Sequence, residues 1–315
     1  MPLMNGNDAN WERDVITTLA RDALAEQKRA RRWGIVFKSL TFLYLFLLLF
    51  IALGWLGKGD AIDTGDHTAV VELNGIIAPD AQANADDVVA GLKDAFEADG
   101  TKAVVLRINS PGGSPVQAAS INDEIRRLRG LHPDIPVYAV VEDICASGGY
   151  YVAVAAEQIY VARASIVGSI GVLMNGFGFT DAMKKLGVER RLLTAGDNKG
   201  FMDPFSPLDT EQRDYAKNML DDIHSQFIQA VREGRGDRLK ETEQTFSGLV
   251  WTGEKSIELG LADSLGSVAY VAREVVQAET IVNYSRRESL VERVARRFGA
   301  SVSETLLREM GSELR

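Results

Sequence analysis

KAVVLRINSPGGSP, residues 102–115, is the stretch that decides how the chain folds. Its first part, KAVVLRI, is a short apolar run rich in valine, as expected of a strand buried on both faces. Its second part is a turn. Asn109, Ser110, Pro111, Gly112 and Gly113 are all residue types that interrupt regular structure. A helical pattern comes next, over Gln117–Arg129. The same order returns at IPVYAVV (135–141), a third strand, and ASGGYYVAVAA (146–156), a helix that opens on two glycines. Upstream, TAVVELNGII (68–77) reads as a strand and Ala85–Ala98 as a helix. Downstream, QIYVA (158–162), SIVGSIGVL (165–173) and ERRLLTA (189–195) read as short strands, and Asp209–Gly234 as a long amphipathic helix. Repeated strand, turn and helix units predict an α/β domain with a largely parallel sheet, with functional groups on the loops after the strand ends. Both glycine-rich turns come directly after strands, so they are expected at the same edge.

Composition narrows the function. The chain has 315 residues, 46% hydrophobic and 25% charged, enough for one large domain or two ordinary ones. A net charge of −9 argues against a general nucleic-acid binder, because phosphate binding needs a concentrated positive face. One cysteine, Cys145, excludes an intramolecular disulfide and a Cys-rich metal site. His67, His132 and His224 are the only histidines, and none lies in a motif.

Ile35 to Leu56 is almost wholly apolar, and about 20 such residues span a bilayer core of roughly 30 Å. A long leader precedes the run and no small-x-small cleavage site comes after it, so an uncleaved transmembrane anchor is expected rather than a signal peptide. Lys28, Arg29, Arg31, Arg32 and Lys38 crowd its N-terminal flank, and Asp60, Asp63 and Asp66 lie beyond its far end. The positive-inside rule then leaves the N-terminus in the cytoplasm. In a bacterium this is a single-pass inner-membrane protein with a periplasmic domain. The expected divisions are a cytoplasmic segment (1–34), the anchor in the bilayer (35–56), a linker (57–67), the main domain (68–285) and a helical tail (286–315). Residues 10–32 read as a helix on the membrane surface or as a cytoplasmic tail. The C-terminal stretch reads as a contact with lipid or a neighbouring subunit, or as a solvated tail.

The chemistry centres on DICASGGYY, residues 143–151. Ser147 stands between an apolar strand and an Ala-rich helix, with Gly148 and Gly149 directly after it. The Gly148 N–H is open to a developing oxyanion, and Gly113 offers a second donor. A serine nucleophile needs a base, and lysine serves in the Ser-Lys variants of the triad. A lysine in that role must be neutral, a shift of roughly three units from about 10.4, or about 4 kcal/mol, which burial supplies. The residues alone do not decide which lysine it is. Lys184 and Lys185 lie on an exposed helix, Lys102 precedes a strand, and Lys199 lies in the turn AGDNKGFMDPFSP (195–207). Cys145 reads as a buried hydrophobe rather than a nucleophile, and Asp143 as a local turn or cap. Tyr150 and Tyr151 read as core packing.

INSPGGS (108–114), ASGGYY (146–151), SIVGSIGV (165–172), the lysine before FMDPFSP, and TGEKSIELGLADSLG (252–266) occur in the order found in the SppA signal peptide peptidase family, which the chain resembles over roughly Ala69–Gly266. The resemblance implies a ClpP/crotonase-like fold with repeated β-β-α and β-α units. It also implies a membrane-anchored serine endopeptidase with Ser147 as nucleophile and Lys199 as general base. Ser169 would orient the lysine, and the N–H groups of Gly113 and Gly148 would form the oxyanion hole. One copy of each motif matches the single-length form of the family. That form implies a dome-like homo-oligomer, such as an octamer, with the dyad formed within one chain or between two. The implied substrates are signal-peptide remnants and other apolar peptides, with no metal or nucleotide cofactor. An acyl-CoA lyase or hydratase on the same fold, and a non-catalytic scaffold, are the rival readings.

Overall fold

The computed structural model describes residues 8–52 and 65–286. The chain divides into two compact units, Met1–Ile62 with Glu288–Arg315, and Asp63–Arg287. In the first unit the described residues form one helix, α1 (Asp8–Ala52), of 45 residues. At 1.5 Å per residue it is about 68 Å long, more than twice a bilayer core. Its stretch Val15–Phe50 is long and apolar enough to cross a membrane. The sequence reading separates a segment at 10–32 from an anchor beginning at Ile35, whereas the structure has one uninterrupted helix. Trp33 and Gly34 lie between the two parts, and a single interior glycine costs about 1 kcal/mol, too little to break a helix of this length. The Thr41 hydroxyl, within the apolar stretch, donates to the Phe37 carbonyl at 2.9 Å, so it leaves no bare polar group. Residues 53–56 of the expected anchor, residues 57–64 of the linker and the tail after Arg286 lie outside the described residues.

The second unit is the expected α/β domain. Its strands are β1 (His67–Asn74), β2 (Thr101–Ser110), β3 (Val137–Ala146), β4 (Gln158–Val161), β5 (Ile166–Gly168), β6 (Val250–Thr252), β7 (Ser264–Leu265) and β8 (Ile281–Asn283). The sheet runs β6-β5-β3-β2-β1-β8, with β4 and β7 branching from β3. All pairs are parallel except β5 with β6. Between the strands lie α2 (Ala85–Glu97), α3 (Pro115–Leu131) and α4 (Gly148–Ala153). Local chemistry sets their starts. The Asn84 side chain caps α2 by accepting the Asp87 N–H at 2.8 Å, and Ser114 precedes the favourable Pro115 of α3. A short helix, α5 (Thr180–Leu186), precedes the long helix α6 (Thr210–Arg235). The latter begins at Asp209, whose carboxylate accepts two N–H groups.

Successive residues of β1 face opposite sides, as the strand period requires. Ala69, Val71 and Leu73 join the large core beneath α2, α3 and α4. Val70 joins a smaller cluster with Val105, Val140, Tyr160 and Val271. Strand β3 forks. Tyr138–Val140 pair with β4, and Ile144–Ala146 pair with β5. Between the two parts the register with β2 slips, from Ile108↔Val141 to Ser110↔Cys145. Such a bulge bends the strand and re-aims the residues beyond it, here Ser147.

Two expected strands fall short. SIVGSIGVL yields only β5, because the backbone turns at Ser169, with φ at 50°. ERRLLTA forms no strand: residues 189–194 are exposed and, among the described residues, have no paired neighbour for their backbone groups.

A buried ion pair ties α6 to the sheet. Arg235, 1% exposed, makes two 2.8 Å bonds to Asp263 and one to the Gly260 carbonyl. Asp263 also accepts the Ile159 N–H of β4 at 2.7 Å. Burial pushes the Asp263 carboxyl up, but the Arg235 bond and charge, with the Ile159 N–H, outweigh it and hold it below the usual carboxylate range. Its stabilising effect is therefore complete above the unfolded value of about 4 and disappears as pH falls through the lower folded value. Asp263→Ala, which leaves Arg235 buried and unpaired, is expected to cost about 3–5 kcal/mol in denaturant unfolding at neutral pH, and less in acid.

Candidate active site

β2 and β3 are parallel neighbours, so the turns at their ends meet at one edge, as the sequence reading expects. Ser147 directly follows Ala146, which pairs with Gly168 of β5, and the Ser147 N–H donates to the Gly168 carbonyl at 2.8 Å. Its backbone is bent sharply, with φ at 52° and ψ at −125°. A non-glycine residue there stores roughly 1–3 kcal/mol of strain, a cost met mainly at functional positions. The Ser147 carbonyl then accepts the Tyr151 N–H at 3.0 Å and starts α4.

Gly112 and Gly113 close the site from the β2 side. A Cβ on Gly112 would lie 2.7 Å from the Ser147 Cβ and 2.6 Å from the Gly148 nitrogen, with φ at 97°. Only glycine allows that approach. A Cβ on Gly113 would stand 2.1 Å from the Ile77 carbonyl oxygen, and one on Gly148 would stand 3.3 Å from the Gly113 nitrogen. The two proposed oxyanion donors are thus brought together beside Ser147. Among the described residues, neither the Gly113 nor the Gly148 N–H has a hydrogen-bond acceptor.

Ser169 follows Gly168 as Ser147 follows its register partner Ala146, so the two serines leave adjacent strand ends at the same level. It too has positive φ, and its N–H donates to the Leu249 carbonyl at 2.7 Å. Lys199 is placed differently. It sits exposed in a turn, its N–H donating to the Gly196 carbonyl at 3.1 Å. No described side-chain bond or ion pair joins it to Ser147. The structure gathers Ser147, Gly113, Gly148 and Ser169, and leaves Lys199 on the surface of the single chain.

The neighbouring candidates take structural roles. Cys145 is fully buried, and burial pushes its thiol up, away from the nucleophilic thiolate. Asp143 accepts a 3.1 Å bond from Asn109, and the buried Tyr150 donates to the Leu261 carbonyl at 2.7 Å. The histidines have other work. The His224 ring nitrogen is 3.1 Å from the Ile170 carbonyl, His67 lies buried against Tyr284 and Thr101, and His132 packs on Phe96. The sequence reading missed Gly112 as the residue that touches Ser147, and the Gly168 carbonyl as the one that holds it. The glycine run signalled the first. The second is a backbone atom, which no residue type announces.

Residues 130–282 match the model of Peptidase family S49. Over that stretch, just under half of the chain, the sequence is similar to an S49 peptidase domain. That region contains Ser147, Gly148, Ser169 and Lys199, whereas Gly113 lies just ahead of it. The chain is 45% identical over 183 residues to a Brucella melitensis protein named Na(+)/H(+) antiporter NhaA, covering 58% of this chain but 25% of that protein. It is 25% identical over 236 residues to the Arabidopsis thaliana chloroplastic serine protease SPPA, covering 72% of this chain and 34% of the relative. Across the first three curated relatives, the chain spans 25% to 61% of their lengths. A solved membrane-bound stomatin-specific protease, bound to a substrate peptide, matches 73% of this chain and 96% of its own at 15% identity and a TM-score of 0.44. The antiporter name belongs to the Brucella protein. Among the described residues here, α1 is the one helix long and apolar enough to cross a membrane.

The close approach of Gly112 gives a direct test of the geometry around Ser147. Gly112→Ala is expected to lose about 1–3 kcal/mol in thermal unfolding and to displace the Ser147 turn in a crystal structure, since the added Cβ would meet the Gly148 nitrogen and the Ala146 carbonyl oxygen, backbone atoms that cannot simply move aside.

Proposed function

We propose that this chain is a membrane-anchored serine endopeptidase in which Ser147 is the nucleophile and Lys199 the general base. The observation that carries the reading is the strained Ser147 beside two N–H groups, those of Gly113 and Gly148, that have no acceptor among the described residues, at the open end of the sheet. Donors fixed in advance around the point where negative charge develops are among the largest contributions to acyl transfer. The Ser147 hydroxyl oxygen attacks the scissile carbonyl carbon while Lys199 takes its proton. The two N–H groups bind the oxyanion, and Lys199 returns the proton to the leaving amine. Water then attacks the ester, giving one proton to Lys199 and releasing the acid, and the proton returns to the Ser147 oxygen. Ser169 orients the lysine amine. Every step moves protons between groups of the chain, substrate and water.

The base works only out of water, because desolvation favours the neutral amine. Lys199 is exposed in the single chain, and the segment around it is unusually apolar for a surface. Leu173, Phe177, Leu186 and Leu193 are 75–97% exposed. A cavity of about 830 Å³ lies within the same segment, lined by Met174, Phe177, Phe179, Leu192, Met202 and Leu208 among others. Exposed apolar surface of this kind marks a contact face. The reading is a homo-oligomer in which neighbouring copies cover this segment and bring Lys199 to a Ser147 of the adjacent chain. The domain lies beyond the anchor on the periplasmic side of a bacterial inner membrane, as the charge flanks of α1 favour. Its substrates are apolar peptides, signal-peptide remnants among them.

Full-length protein in detergent is expected to cleave an apolar signal-peptide-like substrate, and Ser147→Ala and Lys199→Ala are each expected to fall by about 10³-fold or more. Mixing the two inactive variants through dissociation and reassembly restores part of the activity if the dyad forms between chains. Cleavage by Lys199→Ala at the parent rate would remove Lys199 as the base.

A further inference from the structure

The turn that carries Gly113 is held by a side chain that takes no part in the chemistry. Ser110, the last residue of β2, is fully buried. Its hydroxyl donates to the Gly75 carbonyl at 2.6 Å and accepts the Gly112 N–H at 3.1 Å. Gly75 stands just past the end of β1, so one hydroxyl joins the exits of two strands to the glycine turn. Backbone bonds complete the clasp: Gly75 N–H to the Asn109 carbonyl, Ile77 N–H to the Gly112 carbonyl, and Ser114 N–H to the Ile77 carbonyl, at 2.8–2.9 Å. Gly113 lies inside it. On the other side, a Cβ on Gly149 would stand 2.9 Å from the Ser110 carbonyl oxygen, so the start of α4 rests on the same residue. Ser110 therefore touches both segments whose N–H groups flank Ser147.

We propose that Ser110 is a positioning residue, whose hydroxyl fixes the Gly112–Gly113 turn so that the Gly113 N–H points at the developing oxyanion. The inference rests on the peptidase reading and adds the group that sets its oxyanion hole. Pro111 offers no N–H of its own, so the Gly112 N–H is the first donor available to tether the turn after β2. Without the hydroxyl, the part-buried Gly75 carbonyl loses a donor and the buried Gly112 N–H loses its acceptor. The turn is then free to relax toward whatever satisfies them. A shift of about 1 Å in a group aimed at a transition state costs on the order of 10²-fold in rate.

The test compares Ser110→Ala, Ser110→Cys and Ser147→Ala in the full-length protein against the same apolar peptide, with inhibition by a peptide aldehyde that forms a tetrahedral adduct on the nucleophile. For Ser110→Ala, kcat is expected to fall about 10²-fold with KM within about 3-fold of the parent, and aldehyde affinity to fall in parallel. Ser110→Cys, whose thiol is a weaker donor of similar shape, is expected between the two. A kcat within about 3-fold of the parent for Ser110→Ala, beside an inactive Ser147→Ala, overturns the positioning role and leaves the peptidase reading standing. Undiminished hydrolysis by Ser147→Ala overturns both. If Ser110→Ala does not fold, the same comparison on Ser110→Cys decides the matter: parent kcat and parent aldehyde affinity there overturn the proposal.

Discussion

The hydrogen bond from the Ser147 N–H to the Gly168 carbonyl, at 2.8 Å, is the point on which the rest of the site turns. It extends the Ala146↔Gly168 pairing by one bond at the place where both strands end, and it fixes a residue whose φ of 52° would otherwise relax. An isolated serine in that conformation would relax readily, since roughly 1–3 kcal/mol favours doing so. Here it cannot, because the Gly112 turn packs so close that a Cβ there would meet its own, the Gly168 carbonyl holds its N–H, and α4 begins at its carbonyl. Over-determination of this kind is what keeps a strained residue in place.

That arrangement depends on the fork in β3. The first half of the strand is committed to β4 and the second to β5, and the slipped register between them turns the strand end toward the β2 exit. The sheet behind is rigid, with valines, isoleucines and leucines from β1, β2 and β3 fully buried in one cluster. In front of it, residues 171–208 present an open apolar segment whose one short helix, α5, has no buried residue. On the proposed reading, Ser147 is the fixed nucleophile and the uncovered segment carries the base, Lys199, with assembly of copies bringing the two together.

Much of this was legible in the sequence, and the division follows from physics. The central strands were readable because burial on both faces demands uninterrupted apolar runs, as in KAVVLRI and IPVYAVV. The helices were readable from their periodicity, at Ala85–Ala98, Gln117–Arg129 and Asp209–Gly234, close to where α2, α3 and α6 stand. The meeting of the NSPGG and ASGG turns followed from parallel strands having their ends on one side. ERRLLTA misled because its apolar Leu192 and Leu193 imitate a strand, whereas the structure leaves them exposed with no partner. α1 was divided in two because charge and apolarity change along it, although backbone hydrogen bonding does not. The Ser110 clasp was hidden for a different reason. It joins a side-chain hydroxyl to a backbone carbonyl 35 positions away, and residue types carry no record of such a partner.

The most direct test of the account is the residue at which a serine-reactive fluorophosphonate labels the full-length protein, located by peptide mass spectrometry. The account predicts a single stoichiometric adduct on Ser147, formed in the assembled parent and greatly slowed in Lys199→Ala. Stoichiometric labelling of a different residue, or a folded and assembled parent that takes up no label, would contradict it.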